Sequence, residues 1–337
     1  MFQTGIHVAL QAQASHWLTW LMLQVTATGN YQFVVVMVIA VLFGLSLRKG
    51  FLLFQVIVWT AILSEIAKQF FGLPRPFFAD SRVIPLDPGW DASTPFRAMG
   101  GRGFFDLPRQ AVIDAFRQKG MSFGFPSGHA SGAVALWGGL AVFFRKRALA
   151  WLAPVFVALV ALTRLYLGVH FLADVLGGIV LGGLVLFAAW KLIGGDAGRE
   201  RFFAAARAEL SANLPGVLYY FSLFVLPVLL VLFSLFNPMF AGFYVGLNAA
   251  FTLALRSQLP SDRGSLWARL ARVLLGGLLF MLLMLALRQA LVLVPAVAAS
   301  PWGSFLTAGL GTFFAVWGGM KLLLKLGLYK EEAEPAR

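Results

Sequence analysis

The chain contains no cysteine, so it has neither a disulfide framework nor a thiolate metal site, and its redox compartment goes unread. Charge is scarce as well. Only 12% of residues are charged, and acidic residues number 14 against 27 basic ones. Ordinary soluble domains carry roughly a quarter charged residues, which excludes that class. The first 47 residues hold no Lys or Arg. The start therefore lacks the basic n-region of a secretory signal peptide and reads as part of the mature protein. The net charge of +13 does not mark a nucleic-acid partner, because Lys and Arg fall between apolar runs and not on one soluble basic face.

What is abundant is apolar: 60% of the residues are hydrophobic and the mean hydropathy is +0.82. Several runs approach the roughly 20 residues needed to cross about 30 Å of hydrocarbon as a helix. None alternates in polarity as barrel strands do. The expected class is an all-α polytopic membrane protein, with helices at 31–47, 51–71, 125–144, 148–168, 170–192, 217–236, 239–256, 273–294 and 303–325, nine crossings in all. Segment 5–28 has its apolar pattern broken by Gln11, Gln13, His16 and Gln24, while Trp17 and Trp20 suit the headgroup zone. It reads as an interfacial helix, with His7 and His16 as structural residues at that interface.

Basic residues cluster in alternate loops: Arg48 and Lys49; Arg145 to Arg147; Lys191, Arg199, Arg201 and Arg207; Arg256, Arg263, Arg269 and Arg272; Lys321, Lys325, Lys330 and Arg337. Cytoplasmic loops favour such residues. The opposite side, outer or periplasmic, then receives the 72–124 loop and the turn near 169. Residues 196–214, with Arg199, Glu200, Arg201, Arg207 and Glu209 among alanines, read as an amphipathic cytoplasmic linker. Gly276, Gly277, Gly309, Gly311, Gly318 and Gly319 suit close helix packing. In the outer loop, Arg82, Arg97, Arg102, Arg109, Arg117 and Lys119 alternate with aspartates at 80, 87, 91, 106 and 114, a solvated mixed-charge pattern. Arg288 lies inside the 273–294 helix, where an arginine has either a functional or a lipid-contact role.

Three clusters of reactive side chains share the outer side. Lys68 and Arg75-Pro76 lie at the outer end of the second helix. Pro126-Ser127-Gly128-His129 opens the third, where free backbone N–H groups and the helix dipole favour an anion. Thr163-Arg164, His170 and Asp174 span the next outer turn, His170 and Asp174 being four apart on one helical face. Together they supply three cations, a His–carboxylate pair and a second histidine. Such a set can hold an anionic centre, attack it and protonate a leaving oxygen. Glu65, one turn before Lys68, reads as its neutralising partner.

These strings resemble the signature of the type 2 phosphatidic acid phosphatase superfamily, KxxxxxxRP, PSGH and SRxxxxxHxxxD, with Thr163 in place of the serine. The resemblance covers roughly 31–192. It implies a phosphatase core at 31–195, which takes five of the expected helices; outside it lie the interfacial segment 1–30, the linker at 196–214 and a four-helix extension at 215–337 of unassigned role: a dimerisation surface, a lateral wall for a lipid groove, or a partner dock. It implies that His170 is the nucleophile and forms a phosphohistidine, that Asp174 orients it, and that His129 is the acid. Lys68, Arg75, Ser127, Gly128 and Arg164 would bind the phosphate. No metal or other cofactor is implied. The substrate would be a membrane lipid phosphomonoester or pyrophosphate, among polyprenyl pyrophosphate, phosphatidylglycerol phosphate, phosphatidate and lipid A phosphate. The expected setting is a bacterial-type inner membrane, with the site facing outward, the C-terminus cytoplasmic and a homo-oligomer as one arrangement. A lipid phosphotransferase with the same intermediate, and a lipid carrier or flippase on the same scaffold, are the alternatives.

Overall fold

In a computed structural model, residues 1–90, 93–207, 214–257 and 259–331 are described. Asp91, Glu209 and Arg337, which figured in the charge pattern, fall outside them, as does the 208–213 part of the expected linker. The described chain is helical: α1 Gly5–Gln11, α2 His16–Ala27, α3 Tyr31–Leu45, α4 Leu47–Phe71, α5 Pro76–Ala79, α6 Gln110–Lys119, α7 Gly128–Phe144, α8 Arg147–Tyr166, α9 Leu172–Ile193, α10 Asp196–Arg207, α11 Leu214–Leu232, α12 Pro238–Arg256, α13 Leu266–Val292, α14 Pro295–Ala298 and α15 Pro301–Lys325.

Among the described residues, seven helices are long and apolar enough to cross a membrane: α4 continuing through α5, then α8, α9, α11, α12, α13 and α15. The two other expected crossings have a different form. The 31–47 stretch is α3, which with α2 makes a pair bent by 50° and an eighth candidate span. The 125–144 stretch is the shorter helix α7. Pro126 and the Ser127 cap delay its start, and Arg145 ends it in the left-handed region at φ 52°. Its 17 residues, 128 through 144, measure only about 26 Å, and Val134–Gly138 form a wide π turn within it.

The chain divides into two compact units. The first comprises Met1–Val34 and Trp59–Trp190, the second Val35–Val58 and Lys191–Arg337. In the first, α1 and α2 pack on α8. His7 Nδ1 donates to Leu165 O at 2.8 Å, Gln11 Nε2 to Tyr166 O at 3.0 Å, and Thr19 Oγ1 meets the Tyr166 hydroxyl at 2.8 Å. The outer loop has its own core. Phe77, Phe78, Val112, Phe116, Leu167, Val169 and Phe171 are buried together, α6 contributing its apolar face. Arg117, in the last turn of α6, donates to the terminal carbonyls of α4 at Phe71 and Gly72.

Two expectations are corrected here. His7 does not sit at an interface; it is fully buried, because its ring satisfies a carbonyl of α8. The outer loop is not simply solvated. Asp80 is buried and accepts from Thr4 Oγ1 at 2.7 Å and from Arg82, which holds its carboxyl well below the usual range against the cost of burial.

In the second unit, α12 and α15 approach at backbone contact. A Cβ on Gly242 would lie 2.2 Å from Phe305 O, and one on Gly246 2.1 Å from Gly309 O. Small residues permit such approach in membrane bundles. Gln55, Tyr244 and Asn248 form a buried amide network: Gln55 Nε2 donates to Asn248 Oδ1 at 2.7 Å, the Tyr244 hydroxyl to Gln55 Oε1 at 2.7 Å, and Asn248 Nδ2 to Leu223 O at 3.3 Å. Asp262 accepts from the Leu47 amide at 3.0 Å and Ser46 Oγ at 2.8 Å, capping the start of α4. The linker is helical as α10 over its described part, and Arg288 is exposed on α13.

Burial lowers the His7 pKa from 6.5 to about 4. The folded imidazole stays neutral while the unfolded one takes a proton, so stability is undiminished above pH 6.5 and falls as pH drops toward 4, by about 3 kcal/mol in full. His7→Asn keeps a donor for Leu165 O and removes the titration. Thermal melts in detergent between pH 7 and 4 are expected to show a shallower acid loss in this variant.

Candidate active site

Local chain chemistry places each reactive group. Gly72, left-handed at φ 59°, ends α4 just beyond Lys68, and Arg75 is extended because Pro76 follows it and opens α5. Ser127 is extended and caps α7, its Oγ accepting from the Ala130 amide at 3.4 Å. The α8–α9 turn closes on Gly168, left-handed at φ 71°. This puts His170 immediately before α9 and Asp174 in its first turn.

His170 and Arg75 are both buried and in contact. Arg75 Nη1 lies 3.2 Å from His170 Nε2, and the same guanidinium donates to the carbonyls of Val169 at 2.8 Å, Ser122 at 2.8 Å and Phe123 at 3.2 Å, with the Trp90 ring 4.0 Å from its carbon. A guanidinium only donates. Nε2 must therefore carry the lone pair, and Nδ1 the hydrogen. Nδ1 faces Asp174 Oδ2 at 3.4 Å, an oxygen that also accepts from the Phe171 amide at 2.9 Å. Burial first, then the positive charges of Arg75 and Arg164, hold the His170 pKa well below its ordinary value. The imidazole is neutral, with a free electron pair toward an arginine.

The remaining groups converge on this pair. Arg164, His129 and Lys68 all lie near enough to act electrostatically on His170. Lys68 Nζ pairs with Glu65 at 2.5 Å and sits beside Gly128, 3.5 Å from where a Cβ would stand. The Ser127 amide donates to Asp174 O at 2.8 Å, tying the α7 start to α9. Arg164 Nη1 donates to Thr26 Oγ1 at 2.7 Å and to Asp87 Oδ2 at 3.0 Å, while its buried Nε has no hydrogen-bond partner among the described residues. Thr163 turns its hydroxyl back to Val160 O at 2.7 Å, away from these groups. Among the described residues no cluster of three or more His, Asp or Glu side chains is arranged to hold a metal ion.

Residues 49–196 match the model of the PAP2 superfamily. That stretch is 148 of the 337 residues, and over it the chain is similar to the PAP2 superfamily. Among curated relatives, the lipid A 4'-phosphatase of Porphyromonas gingivalis is 29% identical over 163 residues, 47% of this chain and 60% of that protein. The phosphatidylglycerophosphatase B of Bacillus subtilis is 41% identical over 75 residues, 20% of this chain and 37% of that protein. The undecaprenyl-diphosphatase BcrC of Bacillus subtilis is 36% identical over 67 residues, 20% of this chain and 34% of that protein. The chain thus spans less than two thirds of the length of each. No solved structure matches it.

The residues singled out from the sequence are gathered into one cluster, largely buried with His129 half-buried, and contributors that sequence reading missed join it. Asp87, taken for a solvated loop residue, is the ion partner of Arg164. Thr26 reaches the same arginine from α2, and Asn30 Oδ1 lies 2.9 Å from His129 Nε2. Ser64 Oγ is buried beside Gly128 without a partner among the described residues. None of these stands at a motif spacing; only the helical register of Ser64, one turn before Lys68, offered a hint. Gly178 and Gly182 were missed too. A Cβ on Gly178 would lie 2.4 Å from Ser127 O, and one on Gly182 2.7 Å from Ser131 O.

Because a backbone oxygen cannot yield as a flexible side chain does, Gly178→Ala is expected to push the Ser127 turn away. Overpacking of this kind costs about 1–3 kcal/mol. Catalytic turnover should fall at least about tenfold through misplacement, whereas Gly183→Ala, at a glycine with open space around it, should leave turnover unchanged.

Proposed function

We propose that this protein is an integral membrane, metal-independent phosphatase acting on a lipid phosphomonoester or pyrophosphate through a phosphohistidine. The observation that carries the reading is the Arg75–His170–Asp174 alignment: a neutral histidine whose Nε2 lone pair faces a fixed guanidinium while Nδ1–H faces a carboxylate. An arriving phosphoryl group takes over the Arg75 donor. Nε2 attacks phosphorus, the bond from phosphorus to the leaving oxygen breaks, and His129 gives that oxygen a proton. Asp174 holds the positive ring that results. Lys68, Arg75, Arg164 through its unpartnered Nε, Ser127 and the Gly128 amide bind the equatorial oxygens, where charge is spread in the transition state. Water then attacks the phosphohistidine, His129 takes its proton, and inorganic phosphate leaves.

The substrate class rests on the apolar helices that carry the cluster and on the lipid phosphatases among the relatives. The arrangement of basic loops supports a site facing the periplasm or exterior of a bacterial-type inner membrane. Purified protein assayed with chelator against polyprenyl, glycerolipid and lipid A phosphates should release phosphate from one class. His170→Ala should lose at least about 10⁴-fold while remaining folded, as other nucleophile deletions do. Wild-type rates in that variant would sink the reading. Since His170 is held neutral, the acid limb of kcat/KM due to the nucleophile should fall well below pH 6.5.

A further inference from the structure

The bend between α2 and α3 meets the second histidine of the cluster at two points. Asn30 Oδ1 lies 2.9 Å from His129 Nε2. Gly29, next to it, lies so close that a Cβ would stand 2.8 Å from His129 Cδ2. The bend is itself fixed by backbone bonds, Gly29 N to Thr26 O at 2.9 Å and Asn30 N to Ala27 O at 3.0 Å. Thr26, at its start, is the residue that also binds Arg164. Residues 26–30 all precede the stretch matched by the PAP2 model, which begins at 49.

An asparagine at the start of a helix ordinarily caps it. Here the Asn30 backbone carbonyl accepts from the Val34 amide at 3.1 Å, but its side-chain oxygen is turned to His129. A carbonyl oxygen accepts and does not donate, so His129 Nε2 must carry a hydrogen. That ring then has only Nδ1 left to exchange a proton with a leaving group or a water. Burial first, then the positive charges of Arg164, Lys68 and Arg75, oppose the cationic form of His129. A neutral acceptor on Nε2–H supports that form and fixes the ring plane.

We propose that Asn30 is a positioning residue for the general acid, holding His129 Nε2–H so that the cationic ring delivers its Nδ1 proton to the departing oxygen and regains it from the water that attacks the phosphohistidine. The N-terminal segment is then part of the catalytic apparatus and not only a membrane-surface element. This rests on the phosphatase reading above, in which His129 acts as the acid.

The test separates proton delivery from simple structural damage by varying the leaving group. Dodecyl phosphate departs as an alkoxide and needs its proton; p-nitrophenyl phosphate departs as a stable phenolate and hardly does. Compared by kcat/KM in the same detergent, Asn30→Ala should lose about 10²-fold on dodecyl phosphate, the usual scale of general acid catalysis, and less than about threefold on p-nitrophenyl phosphate. Asn30→Asp retains an acceptor and adds negative charge. It should restore most of the dodecyl phosphate rate and move the descending limb of the kcat/KM profile to higher pH, because His129 then keeps its proton longer. Equal losses on both phosphates in Asn30→Ala, or an unmoved limb in Asn30→Asp, would overturn the inference while leaving the phosphatase reading intact. A wild type that hydrolyses neither compound nor any lipid phosphate overturns both.

Discussion

Three cations gathered around one buried imidazole impose the constraint to which the first unit is built. Arg75 and Arg164 are almost fully buried and Lys68 is nearly so, in a chain otherwise poor in charge. Taking such groups out of water costs several kcal/mol each unless partners replace the lost hydration. The structure supplies partners to each: a carboxylate for Lys68, carbonyls and an aromatic face for Arg75, a carboxylate and a hydroxyl for Arg164. Neutral His170 completes the set, and its tautomer follows from having an arginine on one nitrogen and a carboxylate on the other. In the proposed reaction, groups already held by the fold have little reorganisation left to do when a phosphate arrives.

That requirement explains why segments lying outside the motifs are drawn in. The long outer loop carries Asp87 and Trp90 to the two arginines, and its own buried aromatic cluster keeps those residues in place. The N-terminal helices pack on α8 through His7, Gln11 and Thr19, which brings Thr26 and Asn30 to the same cluster. The glycines of α9 serve the opposite need, absence of bulk, by letting the Ser127 turn settle against that helix. Each device is unremarkable alone; their value lies in fixing the relative positions of groups that are distant in sequence.

The second unit solves a different problem with related means. Its buried amides and the Tyr244 hydroxyl satisfy one another, as polar groups away from water must. Its tightest helix pair relies on Gly242 and Gly246. Asp262, an acidic residue in a region nearly devoid of them, caps a helix start. These features explain how the unit holds together, and each has a structural use.

Composition alone decided the class of this protein, since so apolar a chain must satisfy its backbone internally, and helices do so within one segment. Local spacing carries the proposed chemistry: the His170–Asp174 register follows from helical geometry, and proline and glycine fix the turns carrying Arg75, Ser127 and His170. Helix limits were less legible where the Ser127 cap and left-handed Arg145 bound α7 and where backbone turn bonds at Gly29 and Asn30 bend α2 against α3. Only tertiary structure could decide which aspartate faces Arg164, that His7 is buried, or that Asn30 reaches His129. Those pairings join residues 77, 158 and 99 positions apart, and contacts at such separations depend on how helices pack, which no periodicity along the chain records.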